Sequence, residues 1–257
     1  MTRITGSHVI QTPCCGAQNR TPAYGSINLS AQEYWTDGRR VGSLFVGDGG
    51  LRQCRCGACY LLHMCDHIRT IREETTKPKA PKGWQRTKDN WWNRFWGKPT
   101  LSDYLLHYDI RDDEEIQAAD KQMPPMTQHV DDRDLVNVIQ KCRGELDILV
   151  VARRRLWRHL NDPFREVYRK CKETNADAFP PYEAKDVQLA NMAVLIELLE
   201  SLEDPPWLEL AELHRETGDM SAASKVLAQA GTSDETLTGV LRQLIEMNYS
   251  GPARFRY

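Results

Sequence analysis

The sequence predicts an α+β protein, mostly α, in which a small β module precedes an array of helical hairpins. Three observations point there. Two cysteine clusters, Pro13-Cys14-Cys15-Gly16 and Cys54-Arg55-Cys56-Gly57-Ala58-Cys59, flank short strand-like stretches and glycine turns. From Leu135 onward, apolar residues recur at helical spacing. Near residue 207 the helical pattern turns into two short helices separated by a glycine.

In the N-terminal module, residues 1–72, both clusters carry a Cys-Gly step. That step makes a turn whose backbone N–H groups can point at a metal-bound thiolate. The pair resembles the two knuckles of a zinc ribbon, which implies a zinc ion held by thiolates in a closed, structural site. A standard knuckle reads Cys-x-x-Cys-Gly. In the first cluster Thr12 stands at the outer position, so the pair is the adjacent Cys14 and Cys15. In the second, Gln53 stands there, and the pair is either Cys54 and Cys56 or Cys56 and Cys59. His63, Cys65 and His67 lie just beyond as substitutes. The competing reading is a ribbon that has lost its metal and packs its thiols as small apolar groups. Asp37-Gly38 and Asp48-Gly49-Gly50 are hairpin-type turns, and Leu44-Phe45-Val46 and Tyr60-Leu61-Leu62 are strand candidates. So small a module buries little core, and a metal would contribute much of its stability.

Residues 73–134 read as a linker. Lys77-Pro78-Lys79-Ala80-Pro81-Lys82-Gly83 suits neither helix nor strand. Trp84, Trp91, Trp92, Phe95 and Trp96 follow, interleaved with Arg86, Lys88, Arg94 and Lys98. Such a mixture can stack on single-stranded nucleic acid, or its rings can anchor the linker on neighbouring domains; the second reading is preferred. The chain then turns acidic, and Asp112, Asp113, Glu114 and Glu115 are the candidate partner-binding residues.

Residues 135–257 read as helical. Leu135, Val138, Ile139, Cys142, Leu146, Leu149 and Val150 form one face. Asp162-Pro163 reads as a cap and first-turn proline that start a new helix. Arg153, Arg154, Arg155 and Arg158 read as a solvated face or as partners of the acidic segment. Leu189, Met192, Leu195, Ile196 and Leu199 mark the next helix, and Asp204-Pro205-Pro206 opens another. Trp207, Leu210, Ala211, Gly218, Ala223 and Ala230 then stand at the preferred positions of a tetratricopeptide repeat (TPR), with Leu227 where an aromatic is usual and His214 in place of a tyrosine. The resemblance covers about 24 residues tightly and implies a helical hairpin and protein binding. The whole chain resembles bacterial proteins with an N-terminal zinc ribbon and a C-terminal TPR-like domain. A lone repeat cannot bury its own face, so it must stack on the neighbouring helices.

Charge divides along the chain: residues 1–100 carry a balance of +8 and residues 101–257 one of −10. Nowhere does an apolar run approach 18 residues, so no membrane span is expected. Residues 1–10 lack the apolar centre of a secretion signal, and eight cysteines then argue for reduced thiols in the cytoplasm. Nucleotide loops, nucleophile elbows and zinc-protease motifs are absent from the sequence, so an enzyme is not expected. The expectation is a cytoplasmic protein-binding module. Its narrower form is an immunity protein that neutralises a toxin or effector, for example a nuclease, by covering its active site with an acidic surface. The alternative is a nucleic-acid-binding zinc-ribbon protein that uses the basic half.

Overall fold

A computed structural model describes residues 3–26, 31–42, 50–72, 123–142, 144–231 and 234–256. Residues 44–46, the tryptophan-rich stretch 84–96 and the acidic group Asp112, Asp113, Glu114 and Glu115 lie outside the described residues. The architecture is α+β, mostly α, with small antiparallel sheets in the N-terminal part followed by six helices among the described residues.

Among the described residues nine strands form three sheets of three, ordered β2-β1-β7, β4-β3-β9 and β6-β5-β8. The first sheet holds β1 (Arg3–Gln11), β2 (Gln18–Ser26) and β7 (Asp66–Arg72). β5 (Leu51–Gln53) and β6 (Cys59–Leu61) form a short hairpin, to which β8 (Gln128–His129), near the end of the stretch read as a linker, adds. β3 (Glu33–Trp35) and β4 (Arg40–Val41) are joined through Asp37-Gly38, with Gly38 at φ +77°, a conformation in which glycine avoids the Cβ clash. The second partner of β3 is β9 (Arg254–Phe255), in the register Tyr34 to Phe255 and Trp35 to Arg254.

The helices are α1 (Leu135–Lys141), α2 (Leu146–Thr174), α3 (Asp186–Glu200), α4 (Trp207–Glu216), α5 (Met220–Leu227) and α6 (Glu235–Glu246). Leu51, Leu61, Leu135, Val138 and Ile148 pack the β5–β6 hairpin against α1 and α2. Val150, Trp157, Met192, Leu195, Leu199, Leu210 and Leu213 join α2, α3 and α4. α4 and α5 make a tight hairpin: Gly218 takes φ +87°, and the Asp219 side chain caps α5 by accepting from Ala222 N at 2.8 Å. Ala211 and Ala223 are fully buried, as close helix approach requires. α6 covers this hairpin with Leu241. None of these helices is long and apolar enough to cross a membrane.

Two sequence expectations are corrected. Pro163 starts no new helix, because α2 runs through it for 29 residues. Proline removes one backbone donor, here the one that would serve the His159 carbonyl four residues back, and crowds the preceding turn; the neighbouring Arg158 carbonyl accepts from the Arg165 side chain at 2.9 Å. The basic run is also not a solvated face. Arg154 pairs with Glu209 at 2.7 Å, Arg155 with Asp132 at 2.5 Å, and Arg158 donates to the Asp37 carbonyl at 3.0 Å. Of the acidic segment, only Asp132 meets one of these arginines among the described residues.

Glu33 fastens β3 to its surroundings. It accepts from Arg169 of α2 at 2.8 Å, from Arg254 of β9 at 3.0 Å and from Trp35 Nε1 at 3.2 Å. Arg169 chiefly, against burial and with Arg254 and Trp35 assisting, lowers the Glu33 carboxyl to about 2. A depressed carboxyl contributes stability that is complete above its ordinary value and is lost as pH falls through the folded one. Glu33→Gln should therefore melt below the unaltered protein at pH 7, and the gap should close between about pH 4.5 and pH 2. Melting curves across that range check this, and a gap that stays constant would refute it.

Candidate metal centre

The two cysteine clusters become two similar turns facing each other. In the first, Thr12 N donates to Ala17 O and Gly16 N to Thr12 O, both at 3.0 Å. In the second, Cys54 N donates to Ala58 O at 2.8 Å and Gly57 N to Cys54 O at 2.9 Å. Gly16 and Gly57 both sit at positive φ, +70° and +91°. The second turn is one residue shorter, so Thr12 occupies the place that Cys54 takes across from it.

Cys14, Cys15, Cys54 and Cys56 bring their sulfurs within 4.8 Å of one another, and the four could hold a metal ion. Cys15 to Cys54 is 3.4 Å, Cys56 to Cys14 is 3.6 Å and Cys14 to Cys15 is 3.9 Å. A tetrahedral centre with metal–sulfur bonds of about 2.3 Å needs sulfurs about 3.8 Å apart, so the donor set fits with small adjustments. Cys54 is buried while Cys14, Cys15 and Cys56 are exposed. Thr12, itself buried, places its hydroxyl 3.6 Å from the Cys15 sulfur and 4.0 Å from that of Cys54. In a knuckle of standard spacing that position carries a ligand; here it carries a hydroxyl that can orient the ligands.

The thiols are electrostatically unequal. Burial pushes the Cys54 thiol up, but the Cys56 backbone N–H and the thiols of Cys15, Cys56 and Cys14 outweigh it and bring Cys54 down to about 6. Burial and the neighbouring Cys54 push Cys14 up to about 12. Cys54 is thus the thiol held closest to its thiolate form, and a cation bound here would require the others to release protons.

Cys59 lies elsewhere. Strand alternation turns Cys59 and Leu61 toward α1 and α2, whereas Tyr60 between them packs with Cys54 and Ile10. The Cys59 thiol neighbours that of Cys142, and burial first, then Cys142, raises it to about 11. His63 and Cys65 are in or beside a short 3₁₀ turn (Leu62–Met64), and Cys65 donates to the Leu61 carbonyl. His67 is on β7, where it meets the Thr70 hydroxyl at 3.0 Å.

A second constellation has no trace in the sequence motifs. Asp37, fully buried, pairs with Arg165, whose side chain is 2% exposed. Asn161 Nδ2 donates to Asp37 at 3.1 Å and to Glu216 at 3.0 Å. Trp157 Nε1 donates to the same Glu216 oxygen at 2.7 Å. Tyr182 and Gln188 donate to Asn161 Oδ1 at 3.2 and 3.1 Å. Burial, then the charges of Glu212 and Asp37, hold the Glu216 carboxyl well above the ordinary glutamate value. Its second oxygen is buried without a hydrogen-bond partner. The group joins the β3–β4 turn to α2 and α4; Arg165 Nε, like Glu216 Oε1, is buried without a hydrogen-bond partner, and the other polar contacts are made within the protein. That places it among the fold's fastenings. Residues 37, 161 and 216 are too far apart in sequence for spacing to connect them.

Comparison of the chain with protein-family models, with curated proteins and with solved structures found no match.

Proposed function

We propose that the cysteine tetrad holds one zinc ion in a structural site of zinc-ribbon type, and that the protein is a non-catalytic protein-binding module built on TPR-like helices. In its narrower form the reading is a cytoplasmic immunity protein that neutralises a toxin or effector, such as a nuclease, by covering its active site. The observation that supports it most is the closed tetrad. Four thiolates around one ion leave no position for water or substrate, so the metal would brace the turns without serving chemistry. The α4–α5 hairpin, with Ala211 and Ala223 at the close contact, supports a repeat whose family role is protein binding.

The test is association with a candidate partner, recovered by co-purification or encoded by the adjacent gene. Exposed charges at a rim set mainly the association rate. Neutralising Asp112, Asp113, Glu114 and Glu115 together should slow association with a basic partner, most strongly at low salt. Tight, salt-sensitive binding of the purified protein to DNA or RNA, weakened by changes at Arg86, Lys88, Trp91 and Arg94 and with no protein partner recovered, would instead establish the nucleic-acid reading.

A further inference from the structure

An open apolar groove of about 610 Å³ runs between α1, α2 and α3. Ile139, Leu156 and Val194 stand along it, and at its mouth Val136 and Val187 are 47% and 52% exposed. α1 is seven residues long, roughly 10 Å, beside an α2 of roughly 43 Å, so one wall is short. Scattered exposed valines need no explanation, but an apolar channel lined by three helices does.

Among the described residues, the lining includes one charged side chain, Arg153. Its Nη1 donates to Asn191 Oδ1 at 3.2 Å, and Asn191 donates back to the Arg153 carbonyl at 3.1 Å. Its Nε is buried without a hydrogen-bond partner, although neighbouring Arg154 and Arg155 each hold a carboxylate. Burial alone lowers the Arg153 guanidinium, with no acidic neighbour to offset it. A half-buried guanidinium with no carboxylate beside it is uncompensated, and an occupant that brings a carboxylate to its accessible part would offset the cost. The chemistry asked of an occupant is therefore specific: apolar side chains at helical spacing, and one carboxylate among them.

We propose that this groove docks an amphipathic helix of a partner protein, with its apolar stripe on Ile139, Leu156 and Val194 and a carboxylate on Arg153. A helix laid between helices repeats the packing of the fold itself. The inference rests on the protein-binding reading and names a surface for it built from α1, α2 and α3.

The experiment places a photo-reactive p-benzoylphenylalanine at Val136 or Val187 of the full chain in cells, with exposed Val167 and Met247 as control positions. The expected result is adducts from the first two positions and not the controls. The adduct peptide should have apolar residues every three to four positions and an Asp or Glu between them. Arg153→Glu should cut the yield at least tenfold, and exchanging the peptide's carboxylate for arginine should restore it. Arg153→Met, checked for an unchanged melting curve, should also lower the yield, which separates lost recognition from lost folding. Adducts to a partner only from Val167 or Met247, or only to a second copy of this chain, overturn the groove while leaving protein binding intact. Protein adducts from none of the four positions overturn both.

Discussion

Replacing Asp37 by alanine should lower stability by about 3–5 kcal/mol, since it strands a buried charge. For a chain of this size that corresponds to a drop in melting temperature of roughly 6–20 °C. Arg165 would keep Asp162, which is partly exposed, but would lose its buried counter-ion, and Asn161 would lose an acceptor. Glu216→Gln provides the contrast. The Glu216 carboxyl is held toward its neutral form by burial, so an amide of the same shape can still accept from Trp157 and Asn161. That variant should stay within about 1.5 kcal/mol of the unaltered protein, the range of a volume-conserving exchange. Circular dichroism melts of the two variants decide the matter. A change under 2 °C for Asp37→Ala would show that the buried pair is not what fastens the β3–β4 turn to α2.

The second large effect concerns the tetrad. The purified protein should carry one zinc per chain, and Cys54→Ser should reduce it below half an equivalent. Structural zinc contributes about 10–16 kcal/mol of apparent binding free energy in zinc-finger peptides, so its loss should unravel the turns at 12–17 and 54–58 and lower the melting temperature. Cys59→Ser is the discriminating control, because Cys59 faces Cys142 and the helical core. It should keep the metal while losing some stability. Elemental analysis of both variants checks this. Equal zinc in Cys54→Ser and the unaltered protein would remove the tetrad from consideration.

Turn chemistry was the most readable part of this chain. Cys15-Gly16, Cys56-Gly57 and Asp37-Gly38 each announce a positive-φ glycine, and each is one. Which cysteines gather was not readable, because spacing allowed Cys56 to pair with either Cys54 or Cys59. The choice depends on the alternation of β6, which turns Cys59 the other way. The hairpin of α4 and α5 was legible from small residues at a close contact and a glycine between them. Pro163 misled for the opposite reason: a local breaker sits inside α2, which continues through it. The Asp37 partnership lay beyond sequence reading altogether, since 128 residues separate it from Arg165 and neither belongs to a motif.

The pairing of β3 with β9 also governs the order in which the protein can be completed during synthesis. Residues 33–35 leave the ribosome long before one of their two neighbouring strands, which lies 221 positions later, as the Glu33–Arg254 contact measures. At about 5–20 residues per second, that edge waits at least ten seconds for its mate. During the delay Trp35, which ends as one of the largest fully buried side chains, lacks the Ala253 end of its pocket. A nascent chain therefore offers an unpaired edge of β3 until residues 254–255 have been made, and its need for a chaperone should be greatest before then.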